Sequence, residues 1–132
     1  MTQDSKFKTQ DYNLRPKADL KSLSYKFSLD VIDLIGKLPE KRVYWVIGDQ
    51  LLRSATSIGA NIVEAKSSSS RKDFIRYFEI ALKSCNETRY WLSLVKDSQL
   101  FDVLTLDNLI QQVMSLGNML GSSLITLKGK RL

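Results

Sequence analysis

Residues 51–92 constrain the fold more than any other part of the chain. They read LLRSATSIGANIVEAK, then SSSS, then RKDFIRYFEIALKSCNETRYWL, and apolar residues recur at spacings of three and four on both sides of the serines. This periodicity is typical of amphipathic α-helices, and a serine-rich run favours a turn. The sequence therefore predicts two long helices that fold back against each other at residues 67–70.

The same periodicity continues along the chain and predicts four helices, over residues 18–38, 43–65, 71–97 and 106–128. Pro39 ends the first helix because the residue before a proline avoids the helical conformation. Thr105 is the predicted N-cap of the fourth. Short connections make successive helices antiparallel. We expect an all-α, up-down-up-down four-helix bundle over residues 18–128, with a flexible tail at 1–17 and a short tail at 129–132.

The composition excludes several classes of site. The 132 residues contain no histidine and one cysteine, so the commonest general base and the commonest zinc ligand are absent. Cys85 falls on the core face of the third helix, where a thiol acts as a small apolar group. We predict a non-enzymatic protein without cofactor or metal. No apolar run approaches the roughly 20 residues of a membrane span, and no signal peptide is seen, so the predicted location is the cytoplasm.

Positive charge is concentrated in one part of the chain. The formal net charge is +6, and residues 41–96 contain ten basic and five acidic residues. Lys72, Arg76 and Lys83 align on the outer side of the third helix, next to Arg71 at its start. Such a ridge either contacts the phosphates of a nucleic acid or is a solvated surface. Likewise Ser70, followed by Asp73, forms a capping box, or the free N–H groups there hold a phosphate.

The third helix has a wider apolar arc than one core requires. Its core face carries Phe74, Phe78, Ala81, Cys85, Thr88, Leu92 and Val95. Tyr77, Ile80 and Trp91 lie on one flank of that face. A second copy of the chain would cover this flank, so we predict an oligomer interface there.

The second helix carries a polar row beside its apolar stripe. Its members recur at helical spacing: Gln50, Arg53, Ser57, Asn61 and Glu64. Because the row borders the core, we expect half-buried, hydrogen-bonded side chains, the alternative being a solvated face. Gly59, inside the same helix, marks either a kink or a close approach of another helix.

The chain resembles the bacterial four-helix bundle family of the 23S ribosomal RNA intervening-sequence protein. The resemblance spans about residues 23–128 and rests on QLLRSATSIGANIVEA, RKDFIRYFEIALKS and Glu87 within CNETRYWL. It implies a homopentamer and a shared set of positions at Arg53, Ser57, Asn61, Glu64, Phe74 and Glu87. One relative in this family is the accessory protein of diversity-generating retroelements, which binds nucleic acid and reverse transcriptase. The resemblance therefore implies similar partners for this chain.

Two hypotheses follow. The first is a non-enzymatic homo-oligomeric scaffold, a pentamer by resemblance, whose basic surface contacts RNA, DNA or a nucleic-acid enzyme. The alternative is a protein–protein interaction module whose charge serves solubility. An enzyme using Glu64 and Glu87 would need both carboxylates in one solvent-accessible pocket.

Overall fold

The computed structural model describes residues 19–98 and 101–129, and these form four α-helices. They are α1 (Leu20–Lys37), α2 (Arg42–Ser67), α3 (Arg71–Asp97) and α4 (Val103–Gly129). Nearly all of these residues are helical, and the described residues contain no strand. The predicted all-α fold is therefore confirmed, with helix bounds that differ from the prediction by three residues at most. The predicted tails, apart from Gly129, lie outside the described residues.

Each helix packs against two neighbours, so the four axes stand at the corners of a square. α1 contacts α2 and α4, α3 contacts α2 and α4, and no contact crosses either diagonal among the described residues. The connections are short, and cross-helix pairs run in opposite directions along neighbouring helices: Ser54 with Thr88 and Ser57 with Ser84 between α2 and α3. This is the up-down-up-down arrangement.

Side-chain caps begin three of the helices. The Asp19 carboxylate accepts from the N–H of Ser22 at 2.7 Å at the start of α1, and the Ser70 hydroxyl accepts from the N–H of Asp73 at 3.0 Å at the start of α3. The prediction of Thr105 as the cap of α4 was wrong. Asp102 occupies that position, since its carboxylate accepts from the N–H of Leu104 and from the Thr105 hydroxyl.

The core lies along the bundle axis and is almost entirely apolar. Its largest fully buried side chains are Phe27, Leu34, Leu51, Ile58, Ile62, Leu92, Leu106 and Leu120. Burial of aliphatic and aromatic side chains on this scale supplies most of the driving force for folding. Gly59 shows the close approach of a second helix, because a Cβ there would lie 3.2 Å from the Ser24 hydroxyl on α1.

Candidate nucleic-acid and subunit interfaces

The predicted basic residues line one side of a groove between α3 and α4. Two adjoining pockets, of about 620 and 510 Å³, share Arg76, Glu79 and Lys128, and a smaller one of about 150 Å³ continues past Asn86. The bases that line them are Arg71, Lys72, Arg76, Lys83, Arg89 and Lys128, named here the basic groove. Glu79 is the single acid that lines these pockets. Positive charge is therefore concentrated along this side of the bundle.

Internal contacts occupy part of the basic groove. The Arg71 guanidinium donates to the carbonyl of Leu127 at 2.9 Å, which satisfies a carbonyl near the C-terminus of α4. Lys128 pairs with Glu79 at 2.6 Å. Arg76 lies 3.6 Å from the Asp73 carboxylate and over the Tyr77 ring at 4.5 Å from its centroid. These contacts hold three of the six bases in place.

Lys72 and Lys83 differ from these three bases. Both are exposed, and neither forms an ion pair within residues 19–98 and 101–129. Eleven residues of helix separate them, which places them about 16 Å apart along the axis. Arg89 is likewise exposed and has no ion pair in the described residues, so Lys72, Lys83 and Arg89 carry the charges most available to an anionic ligand.

The predicted polar row meets α3 across the bundle surface. Arg53 donates both to the Gln50 side chain, at 2.9 Å, and to the carboxylate of Glu87 on α3. The same Glu87 carboxylate accepts from the Trp91 indole N–H at 3.0 Å. Two predicted groups, the polar row and the apolar flank, are thus joined at Glu87.

A second part of the network lies deeper between α2 and α3. Asn61 donates to the Ser57 hydroxyl at 3.0 Å, and Ser84 donates to the same oxygen at 2.9 Å. Further along, Thr88 donates to Ser54 at 2.9 Å. The sequence prediction did not include Ser54 and Ser84; their signal was the i, i+3 spacing from Leu51 and Ala81 on the core faces. Glu64 is exposed, and its carboxylate has no hydrogen bond to the described residues.

Apolar side chains flank the Arg53–Glu87 pair on both sides. On α3 they form two pairs with a spacing of three, eleven residues apart, on one side of the helix: Tyr77 and Ile80, then Trp91 and Leu94. Val46 lies one helical repeat before Arg53 on α2. We call these five residues, with the Arg53–Glu87 pair, the α2/α3 face. Tyr77, Ile80 and Trp91 are half-buried within the single chain, whereas Leu94 and Val46 are 39% and 55% exposed.

No catalytic arrangement emerges from the described residues. Glu64 and Glu87 are not brought together by any shared contact. Cys85 is buried, and that burial raises the pKa of its thiol to about 12, so the thiol stays protonated at neutral pH. No cluster of three metal-ligating side chains is present within the described ranges. Likewise, no described helix has the length and hydrophobicity of a membrane span.

The family model for the 23S rRNA-intervening sequence protein matches residues 17–122. This chain belongs to that family. The matched range includes α1, α2, α3 and most of α4, so membership of the 23S rRNA-intervening sequence protein family applies to nearly the whole bundle.

A solved structure agrees with this membership. It is a protein with unknown function from the S23 ribosomal protein family, from Bacteroides thetaiotaomicron VPI-5482. The two chains are 35% identical, the TM-score is 0.76, and the match covers 80% of this chain and 98% of the other. Among curated proteins, none matches this chain. Membership of the 23S rRNA-intervening sequence protein family thus agrees with the four-helix fold. Because the solved relative has no known function, a function can be proposed only from the surface residues of this chain.

Proposed function

We propose that this protein is a non-enzymatic, cytoplasmic homo-oligomeric scaffold whose basic groove contacts the phosphate backbone of a nucleic acid. The observation that carries the proposal is the excess of six bases over one acid along the α3/α4 groove. Lys and Arg side chains that neutralise phosphates release counterions, and this release drives binding without base recognition.

The shape of the basic groove suits a backbone more than a base. Six bases line it beside a similar number of apolar residues, so phosphates would meet charge along its whole length, and its floor includes Gly117, where α4 has no side chain. Tyr90 is 59% exposed and lies two helical turns after Lys83 on the same side of α3. Its ring could stack on an unpaired nucleobase. We therefore expect tighter binding to single-stranded than to duplex RNA, with little sequence preference.

The α2/α3 face supports self-association. Two of its five apolar side chains are more than one third exposed, and the other three are covered only in part by the single chain. Exposed apolar sets of this kind mark interaction sites. We propose that copies of the chain cover this face, and that the assembly is the homopentamer implied by the resemblance noted in the sequence.

The test of nucleic-acid contact is a charge reversal at the two unpaired lysines. A Lys72→Glu, Lys83→Glu variant breaks no ion pair of the described residues, so its fold should be preserved. For a short mixed-sequence RNA we expect the slope of log K against log salt to fall by about 1 for each phosphate that the variant no longer neutralises. The matched control is Lys41→Glu with Lys66→Glu, two exposed lysines outside the groove.

Two results would count against the nucleic-acid proposal. One is the absence of RNA binding by the wild type at low salt. The other is an equal loss of binding in both double variants, which would reflect net charge alone. A protein partner recovered after nuclease treatment, with no RNA binding, would favour the protein–protein interaction module instead.

A further inference from the structure

One end of the basic groove differs in composition from the rest. A pocket of about 150 Å³ lies there between α3 and α4, and we call it the end pocket. Among the described residues that line it, Arg89 is the single charged one, whereas each of the two larger pockets is lined by at least four charged residues. Besides Arg89, its solvent-accessible lining residues are Leu82, Asn86, Met114, Gly117 and Asn118.

The floor of the end pocket exists because residue 117 is a glycine. A Cβ at Gly117 would lie 3.8 Å from the Cβ of Cys85 and 3.8 Å from the Cδ1 of Leu82, which is ordinary van der Waals contact. Alanine would therefore fit between α3 and α4, and it has the higher helix propensity. The packing of the two helices does not require this glycine, so the space that it leaves is available to a ligand.

Two side-chain amides at the end pocket have no hydrogen bond to other described residues. They belong to Asn86 on α3 and Asn118 on α4, and both residues are exposed. By contrast, Asn61 and Asn108 each bond to a side chain of their own helix. A side-chain amide presents a donor and an acceptor side by side, and this pattern pairs with the edge of a nucleobase.

The volume of the end pocket suits one six-membered ring. A protein cavity of about 150 Å³ can hold benzene, and a pyrimidine base has a ring of the same size with its polar atoms at the edge. Leu82 and Met114 offer apolar surface to the faces of such a ring, while the amides offer hydrogen bonds to its edge. A purine carries a second fused ring and is larger than this space.

We infer that the end pocket binds one unpaired pyrimidine base of an RNA strand whose phosphates lie along the basic groove. Arg89 is exposed, has no ion pair in the described residues, and contacts the phosphate next to that base. The rest of the strand is held through its phosphates, so base selection is confined to one position. This inference rests on the proposed nucleic-acid contact and adds the class of base that the groove accepts.

The test compares two changes at the end pocket with matched changes outside it. Gly117→Ala fills the floor, and its control is Gly121→Ala, also on α4, where nothing lies within 4 Å of an added Cβ. Asn118→Ala removes one amide, and its control is Gln111→Ala, an exposed residue of the same helix. The probes are a short oligouridine, an oligoadenosine and an abasic strand of equal length. Fluorescence anisotropy over a salt series measures binding, and circular dichroism checks the fold.

We expect the wild type to bind oligouridine about tenfold more tightly than the abasic strand, as one bidentate base contact would give, and more tightly than oligoadenosine. Gly117→Ala should remove most of this difference, because one extra carbon in a fitted pocket changes affinity by about tenfold or more. Its slope of log K against log salt should stay that of the wild type, since no phosphate contact is lost. Asn118→Ala should also reduce the preference, and both controls should keep it.

The other outcomes would overturn the inference. A wild type that binds no RNA at low salt would remove it together with the proposed function. Salt-dependent binding with equal affinity for oligouridine and the abasic strand would remove the inference alone. So would a preference for oligouridine that both pocket variants keep, or that the controls lose equally, because the base would then bind elsewhere. Binding of oligoadenosine at least as tight as that of oligouridine would refute the selection of a pyrimidine.

Discussion

The hydroxyl of Thr88 on α3 lies 2.9 Å from the hydroxyl oxygen of Ser54 on α2, and both side chains are fully buried. Ser54 in turn donates to the carbonyl of Leu51 in its own helix, at 3.2 Å. Thr88 also lies 2.7 Å from the carbonyl of Ser84. Every hydroxyl in this buried set has a partner, so α2 and α3 can bury polar atoms between them and are held in one register.

Replacing Thr88 with valine should lower the free energy of unfolding by about 1 kcal/mol, because a hydrogen bond is removed with little change of shape. Combining it with Ser54→Ala should cost less than the sum of the two single changes, since the two groups share a hydrogen bond. Urea unfolding at a fixed protein concentration measures both quantities. Thr56→Val, whose hydroxyl bonds only within α2, is the control and should change stability by less than about 0.5 kcal/mol. Strict additivity would contradict the coupling of Thr88 with Ser54.

Two glycines inside helices should respond in opposite directions to alanine. At Gly121 nothing lies within 4 Å of an added Cβ, so Gly121→Ala should stabilise the protein by up to about 1 kcal/mol through helix propensity. At Gly59 the added Cβ would lie 3.2 Å from the Ser24 hydroxyl, which is buried and bonded to the carbonyl of Lys21. Gly59→Ala should therefore be at least about 1 kcal/mol less stable than Gly121→Ala.

The Gly59 effect has an internal check. If the contact with Ser24 causes the destabilisation, the double variant Gly59→Ala, Ser24→Gly should recover part of the stability, as measured by thermal unfolding. Equal gains in stability from Gly59→Ala and Gly121→Ala would contradict the prediction, because they would show that α1 can move away from the added methyl group at residue 59.

Cys85 should be inert in the native protein. Its side chain is buried and its pKa is raised to about 12 by desolvation, so the reactive thiolate is scarce at neutral pH. We expect iodoacetamide to modify it only at the rate at which the bundle opens, and fully in urea. Mass spectrometry over a time course gives the rate. Rapid alkylation at neutral pH without denaturant would contradict the burial of Cys85.

The cap of α4 should make stability depend on pH at the acid end. The Thr105 hydroxyl and the N–H of Leu104 donate to the Asp102 carboxylate and lower its pKa in the folded state. A carboxyl whose pKa is lower when folded stabilises the protein above its unfolded pKa, and this contribution is lost as the pH falls through the folded pKa.

An Asp102→Asn variant removes that titration while keeping a residue that can cap a helix. Compared with wild type, it should lose less stability between about pH 6 and about pH 2. Chemical unfolding at several pH values measures the difference. Asp49→Asn, an exposed acid without an ion pair in the described residues, is the control. Identical pH profiles for wild type and Asp102→Asn would refute the role of this carboxylate.

Several features of the bundle could be predicted because they depend on neighbours close in the chain. Ser70 precedes the third helix at cap spacing, and the structure places its hydroxyl on the N–H of Asp73. The bounds of α3, Arg71–Asp97, match the predicted ones. The α4 cap was misplaced because Asp102 and Thr105 are both good capping residues, and sequence spacing does not distinguish them.

The candidate sites were predictable only in part. Periodicity put Arg71, Arg76, Lys72 and Lys83 on neighbouring sides of one helix. It did not show that Arg71 bonds to Leu127, 56 residues away, or that Lys72 and Lys83 lack an ion pair in the described residues. It also did not show that Tyr25, Leu29 and Ile32 on α1 are exposed, since an exposed apolar stripe and a buried one have the same spacing.

The sequence by itself determined four helices, their order and direction, the family, and the side of each helix that is apolar. These follow from backbone geometry, because spacings of three and four fix a side chain's angle about its own helix axis. Only the tertiary structure decided which helix each side borders, which charges are paired, and which apolar stripes stay uncovered. Those outcomes depend on how four cylinders pack around one core, which brings together residues such as Arg53 and Glu87 that are far apart in the chain.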